Sequence, residues 1–317
     1  MKESLQKSFI VPEISTGKRI DQVASDLLPD YSRGLIQAWI KEGYLTLDGK
    51  TLKPKAKVLG GERIDLQVEL EEQDEWLAED IALNIVYEDD DILVINKPVG
   101  LVVHPAAGNR TGTLLNALVF YLPSQRLLPR AGIVHRLDKD TSGLMIVAKS
   151  LAAQTHLVQQ IQNKEVTRQY FAIAFGEMTG GRTIDEPIAR HANQRTKMAA
   201  HERGKPALTH IRLIKRFKHF TYVGAQLDTG RTHQIRVHMS HIGYPLVGDP
   251  SYGGRNRLPR GASESLKNVL RNFRRQALHS TYLGLEHPIH GGYLEWNSEP
   301  PEDFMALLNN LEQECAL

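Results

Sequence analysis

From about residue 91 onward the chain is broken into apolar runs too short for long helices, and this spacing constrains the fold more than any other feature. Residues 91–97 are stopped by Pro98, residues 144–149 follow a polar loop, and residues 167–175 are closed by Gly176. Residues 208–214 and 221–227 continue the series. Short runs rich in β-branched and aromatic residues, bounded by Gly and Pro, read as strands. Helical periodicity fits residues 151–162, 233–242, 265–273 and 302–311. The strands mostly follow one another without regular helical crossovers. That order predicts an α+β domain with a mixed, largely antiparallel sheet and flanking helices.

The first 70 residues obey a different pattern. Positions 20–28 carry apolar residues at helical spacing, and Ser32 can cap a second helix over 33–41 that Gly43 ends. Strand-like pieces follow at 44–47, after which comes an Asp48-Gly49 turn, and at 63–66 after Gly60-Gly61. Lys41, Lys50, Lys53, Lys55 and Lys57 give this unit a basic side. From Glu69 to Asp80 there are seven acidic and no basic side chains, which reads as a linker. The predicted organisation is a small domain over 1–70, an acidic linker over 71–81 and a larger domain over 82–317.

A chain of 317 residues with 41% hydrophobic and 24% charged side chains is long enough to bury both cores. Its net charge of +2 averages over blocks of opposite sign. Arg190 to His219 holds nine Lys or Arg against Glu202 alone, and Arg255 to Arg275 holds seven basic residues against Glu264. Two such zones fit the footprint of a polyanion, since neutralised phosphates release counterions; two solvated surface loops would read the same. No stretch approaches the ~18 apolar residues of a membrane span, and the polar start lacks the apolar core of a secretion signal. The single Cys315 offers neither an internal disulfide nor a thiolate cluster. A cytoplasmic location is expected.

Two segments carry chemistry. In Gly132-Ile133-Val134-His135-Arg136-Leu137-Asp138-Lys139-Asp140-Thr141-Ser142-Gly143, two carboxylates sit among His, Arg and Lys directly before an apolar strand. Nearby cations favour a charged carboxylate, and one held at a sheet edge can serve as nucleophile or base. For an arbitrary loop, a polar turn tied by surface ion pairs is the commoner reading. In Asp228-Thr229-Gly230-Arg231-Thr232-His233-Gln234-Ile235-Arg236-Val237-His238, two arginines flank a predicted strand-to-helix junction, where a guanidinium can fork onto a carboxylate or phosphate. His233, His238 and His241 do not have the spacing of a metal site, and no HExxH or cysteine partner accompanies them. No metal is expected.

Residues 18–68 resemble an S4-type RNA-binding domain, through Arg19-Ile20-Asp21, Ser32-Arg33 with Ile36, Ile40 before Gly43, and Gly61-Glu62-Arg63-Ile64. His135 to Gly143 and Lys97-Pro98-Val99-Gly100-Leu101-Val102-Val103-His104-Pro105 resemble motifs of the RluA family of pseudouridine synthases. Arg168-Gln169-Tyr170, Gly230 to His238, and Gly243-Tyr244-Pro245-Leu246-Val247-Gly248-Asp249 resemble that family's later motifs. One departure is Arg168-Gln169-Tyr170, where relatives often carry a lysine beside the tyrosine. The resemblance implies an isomerase that converts uridine to pseudouridine, with a 23S stem-loop of large-subunit ribosomal RNA as its partner. It implies that Asp138 is the catalytic aspartate, Tyr170 the active-site tyrosine, and Arg236 the basic residue paired with the aspartate. Arg136 would help displace the target base, with Arg231 and Leu246 also binding substrate. Arg33, Lys41, Arg195 and Lys197 are expected to contact RNA. The rearrangement moves no electrons and needs no outside reactant, so no cofactor is expected, nor an obligate protein partner; a monomer is the default. Two rival readings stay open at this point. One is a glycoside hydrolase built on Asp138 and Asp140. The other is a non-catalytic RNA-binding or ribosome-assembly protein.

Overall fold

A computed structural model describes residues 3–29, 31, 33–70, 76–106, 108–194, 196–253 and 257–314. In the N-terminal part, β1 (Glu3–Ile10), α1 (Ile20–Leu27), α2 (Arg33–Glu42), β2 (Leu45–Leu47) and β3 (Arg63–Leu70) follow in order. The sheet runs β1-β3-β2, with β3 antiparallel to both neighbours. Both helices turn one apolar stripe inward: Ile20, Val23 and Ala24 from α1, and Ile36, Trp39 and Ile40 from α2, meet Leu45, Val58, Ile64 and Leu66. Gly43 ends α2 with φ +82°, a conformation that suits glycine. The expected cap, Ser32, lies outside the described residues.

Asp21 organises this small core. It is fully buried, and its carboxylate accepts a fork from Arg19 (2.9 and 2.8 Å), Arg33 Nε and Nη2 (3.2 and 3.0 Å), and Gln37 Nε2 (2.6 Å). Burial pushes the Asp21 carboxyl upward, but these hydrogen bonds outweigh it and the net direction is down. Arg33, expected to contact RNA, spends much of its fork here, although its side chain stays 46% exposed.

Of the acidic stretch expected to link the domains, residues 71–75 lie outside the described residues. Residues 76–81 are docked rather than free. Trp76 and Ile81 pack on the large core, and Glu79 accepts from the Gly112 amide (2.9 and 3.1 Å). Asn116 donates to the Leu77 carbonyl (2.7 Å).

The large sheet is built from β4 (Ile85–Glu88), β5 (Ile92–Lys97), β6 (Ser142–Ala148), β7 (Thr167–Phe175), β8 (Arg182–Asp185), β11 (Leu208–Phe217), β12 (Phe220–Leu227), β13 (Leu278–Glu286) and β14 (Tyr293–Asn297), while β9 (Ile188–Arg190) and β10 (Met198–Ala200) form a separate hairpin. The order is β4-β5-β6-β13-β7-β12-β11-β8, with β14 beside the far half of β13. Every pair is antiparallel except β6 and β13. The mixed, largely antiparallel α+β architecture read from the sequence is therefore present. Helices α3 (Leu114–Tyr121), α4 (Leu151–Asn163), α5 (Gln234–His241), α6 (Glu264–Asn272) and α7 (Glu302–Glu314) cover the sheet. No helix among the described residues is long and apolar enough to cross a membrane.

Among the elements not anticipated are a central strand and a helix. β13 reads Leu-His-Ser-Thr-Tyr-Leu-Gly-Leu-Glu, and seven of its first eight residues are buried, so neither alternation nor an apolar run marks it. Helix α3 is apolar nearly all round, which hides its period; Thr113 and Asn116 cap it reciprocally. Where β13 passes β6, Gly143 has φ +114°, and a Cβ there would stand 2.2 Å from the Ser280 carbonyl oxygen. Only glycine fits that approach.

Asp21→Asn should destabilise the N-terminal part by about 1–3 kcal/mol at neutral pH, the range for hydrogen bonds to a charged group. A carboxyl whose folded-state value is lowered adds stability above its unfolded value near 3.8, and that stability disappears as pH falls through the folded value. Urea unfolding of wild type and variant at stepped pH should therefore converge in acid. A gap that persists or widens there would contradict the assignment.

Candidate active site

Asp138 sits in the loop that leads into β6, and three elements immobilise that loop. Lys97, at the end of β5, is fully buried and donates to the carbonyls of Pro98 (2.8 Å), Leu101 (3.0 Å) and Lys139 (3.0 Å). Burial pushes its ammonium down to about 8, against the pull of Asp140 and Asp138. From the other side, Arg275 forks onto Asp303 of α7 (2.6 and 2.8 Å) and reaches the Asp140 carbonyl (3.4 Å). Gln276 donates to the Thr141 hydroxyl (2.9 Å). The Thr141 amide closes the turn on the Asp138 carbonyl (3.1 Å).

The carboxylate itself is held from 98 residues away. Arg236, on the first turn of α5, donates through Nη1 to Asp138 Oδ2 at 2.9 Å. Its Nε and Nη2 form a fork onto Asp249 (2.8 and 3.0 Å), and Asp249 in turn accepts the amides of Ser251 (2.8 Å) and Tyr252 (3.1 Å). Asp249 is fully buried. The guanidinium carbon lies 5.0 Å from the centre of the Tyr252 ring, within the range of a cation–π contact. Burial would lower the Arg236 pKa, but the bond to Asp249 and the charges of both aspartates drive it upward. His233 precedes α5 in a left-handed conformation, φ +58°. Its Nδ1 pairs with the Tyr252 hydroxyl (2.7 Å), and its Nε2 stands 3.8 Å from Asp138 Oδ1. Burial lowers its pKa despite the Asp138 charge, so the imidazole is neutral at physiological pH and that approach is not an ion pair.

Two cavities meet at this carboxylate. An open cleft of about 990 Å³ and a small pocket of about 50 Å³ share Arg136, Asp138, Tyr170, Leu227 and Arg231 in their walls. Arg130, Arg136, Lys164, Arg168 and Arg231 face Asp138, Asp185 and Asp228 around the larger one, a surplus of positive charge. Tyr170 is buried on β7. Burial and the Asp138 charge push its phenol up, while Arg168 and the Ser280 hydroxyl oppose that shift. His104 lines the cleft too. Burial, then Arg130 and Arg136, push it down to about 4.

The structure thus brings Asp138, Tyr170 and Arg236 together with Arg136 and Arg231 at one cleft. Arg136 is exposed at its wall, and Arg231 is tied by Nε to the Pro206 carbonyl (3.0 Å). Leu246 is fully buried in the large core, bridges Ala174 and lines neither cavity. Lys41 is exposed on α2 and Lys197 half-buried in the loop before β10, both apart from the cleft walls. Arg195 lies outside the described residues. Asp140 opens into a different groove, beside α6 and α7, so Asp138 and Asp140 do not share a cavity wall as the two carboxylates of a glycoside hydrolase would. The three histidines considered for a metal do not converge. His238 uses both ring nitrogens, on Thr209 (2.8 Å) and the Glu186 carbonyl (2.9 Å).

Sequence reasoning missed Asp249, His233, Tyr252 and Arg168 as members of the site. Asp249 had a readable signal, because an arginine held inside a protein needs more than one acceptor and Asp249 closes a motif already quoted. Tyr252 and His233 acquire their roles only when the chain folds back.

The RNA pseudouridylate synthase family matches residues 91–241, and the S4 domain family matches residues 18–64. The chain is 55% identical over 313 residues to ribosomal large subunit pseudouridine synthase D of Yersinia pestis, covering 98% of this chain and 96% of that protein. The protein of the same name from Pseudomonas aeruginosa is 55% identical over 314 residues, covering 99% and 98%. Among solved structures, human RNA pseudouridylate synthase domain containing 4 superposes with a TM-score of 0.55 at 26% identity, over 72% of this chain and 93% of that one. Human RNA pseudouridylate synthase domain containing 1 gives 0.53 at 27% identity, over 71% and 86%. With an S4 domain ahead of its catalytic domain, the chain belongs to the RluA family of RNA pseudouridine synthases.

Proposed function

We propose that this protein isomerises uridines to pseudouridine in a stem-loop of 23S ribosomal RNA, in the cytoplasm, during assembly of the large subunit. The observation that carries the reading is the carboxylate of Asp138, gripped by Arg236 beneath a cationic cleft and beside a buried tyrosine. The names of the full-length relatives support the substrate.

The target uridine must leave its stack, at a cost of a few kcal/mol that is smallest in a loop. Arg136, exposed at the cleft, fills the vacated space by stacking or hydrogen bonding. Arg130, Arg231 and Lys164 hold phosphates, which position the RNA without reading its sequence. Lys41 and Lys197, with the free part of Arg33, extend that grip. Tyr170 packs against the uracil ring. Asp138 then opens the N1–C1′ bond, either by bonding to C1′ or by taking a ribose proton; Arg236 orients it for either step. The released uracil turns within the pocket, C5 joins C1′ as Asp138 leaves it or returns the ribose proton, and the proton on C5 is lost to water while N1 gains one. Since Tyr170 is pushed toward its neutral phenol form, it serves as a platform in preference to a base.

Asp138→Asn should abolish pseudouridine formation with little change in RNA affinity, read by chemical mapping of pseudouridine and by filter binding on one RNA. Modification at the normal rate would remove Asp138 from its role. Asp249→Asn should lower kcat on the order of 10²-fold, because small misplacements of a reacting group have effects of that size, while KM stays near wild type. Unaltered kcat in a folded Asp249→Asn would mean that the second carboxylate does not position Arg236. In cells lacking the protein, 23S pseudouridines should be lost and then restored by wild type alone. An unchanged map would refute the substrate.

A further inference from the structure

One charged side chain in the cleft keeps two nitrogens without a hydrogen-bond partner among the described residues. Arg168 is only 4% exposed, and its Nε and Nη2 have no hydrogen-bond partner among the described residues. Buried donors are nearly always satisfied, and a guanidinium does not shed its proton in a protein. Of the acids at the cleft, Asp138 is engaged with Arg236, and Asp228 with Lys164 (3.6 Å) and His210 (3.4 Å). Gly230 leaves room beside the guanidinium, since a Cβ there would come within 3.2 Å of Arg168 Nη1.

Its position fits a particular step. Arg168 and Tyr170 alternate onto the same face of β7, and both line the cleft. Successive residues on one face of a strand are about 6–7 Å apart, within the span of one nucleotide. The register places Tyr170 opposite Ser280, and Arg168 further along, opposite Leu283. Asp138, ahead of β6, lies toward the opposite end, because Ser142 is level with His279. A uracil packed on Tyr170 with its ribose at Asp138 therefore directs its far edge, which carries the carbonyl oxygens, at Arg168.

We propose that Arg168 is a further catalytic residue, whose unpaired guanidinium receives the negative charge that uracil acquires when it leaves the ribose. The balance is explicit. The N1–C1′ pair goes to N1, and the charge spreads over N1, O2 and O4. At the sugar, C1′ bonds to an Asp138 oxygen, or C2′ loses a proton to Asp138. When C5 rejoins C1′, the C1′–O bond to Asp138 breaks and the charge returns to its carboxylate, or Asp138 gives the proton back to C2′; the C5 proton then leaves to water and N1 takes one up from water. Donors fixed in advance where charge develops, in a site shielded from water, act mainly on the transition state. The empty fork is then a feature of the resting enzyme.

The inference rests on the reading of Asp138 as the group that opens the glycosidic bond, and the test separates the two. Single-turnover cleavage would be followed on RNA carrying either uridine or 5-fluorouridine at the target, because fluorine stabilises the departing anion. Arg168→Gln should lower the rate on uridine ~10²-fold, as removal of one such donor does, with RNA affinity nearly unchanged. The deficit should shrink on 5-fluorouridine. Arg168→Lys, which keeps the charge and loses the fork, should show a smaller deficit with the same dependence, and it serves if Arg168→Gln does not fold. An equal deficit on both substrates would overturn the proposal. So would a loss confined to affinity, which would make Arg168 a phosphate contact, or no loss at all. Asp138→Asn should be inactive on both substrates; activity there would sink the reading of Asp138, whatever Arg168 does.

Discussion

A buried arginine shared between two aspartates is the interaction on which the site depends. Arg236 could not be held inside the protein by Asp138 alone. Asp138 retains some solvent access, with a side chain 15% exposed, and accepts from a single nitrogen. Asp249 supplies the second acceptor as a planar two-point fork, which lysine could not match. The fork fixes the plane of the guanidinium, so the remaining Nη1 can point in only one direction. Asp249 is fixed in turn by backbone amides of the segment that follows it. Orientation thus passes from backbone to carboxylate to guanidinium, and then to the carboxylate that faces the cleft. Breaking such a buried chain from the inside is expected to be costly, because it strands a charge.

The same logic governs the loop that bears Asp138. Loops ordinarily move more than the elements they connect, yet a reacting group must stay within a fraction of an ångström. The conflict is resolved with a lysine ammonium that binds three carbonyls from below and an arginine that ties the loop to α7 from the side. Neither cation is exposed to solvent to any large degree. Gly143 lets β6 run against β13 with no side chain between them, which sets the height of the loop above the sheet. The C-terminal helix therefore contributes to the site without reaching it.

Much of this was legible in the chain. Strands β5, β6, β7, β11 and β12 and helices α4 to α7 announce themselves by run length and period, and Asp138 stands out among its cations. The central strand β13 did not, because covered faces remove the alternation that marks a strand. For α3 the reason is the same in helical form: six of its eight residues are buried. Leu246 faces the core, and a motif's presence says nothing about which of its members do so. Tyr252 and His233 were hidden for a different reason. Their partners are distant in the chain or on another element, and local pattern carries no information about such pairs. Arg168 shows the limit most clearly, since a missing partner can be seen only when every neighbour is in place.

The histidines suggest how the cleft divides its labour. His104 is pushed down to about 4 and His135 to about 3, in both cases first by burial and then by neighbouring arginines. His135 accepts the Ile146 amide (3.0 Å), a role that requires an unprotonated nitrogen. His233 is lowered as well. All three are neutral across the physiological range, so the positive potential of the cleft comes from its arginines and Lys164. A grip built this way responds to ionic strength and hardly to mild acid. In that arrangement the histidines shape the walls around Asp138, Tyr170 and Arg168, and the fixed charge is left to the guanidinium groups and Lys164.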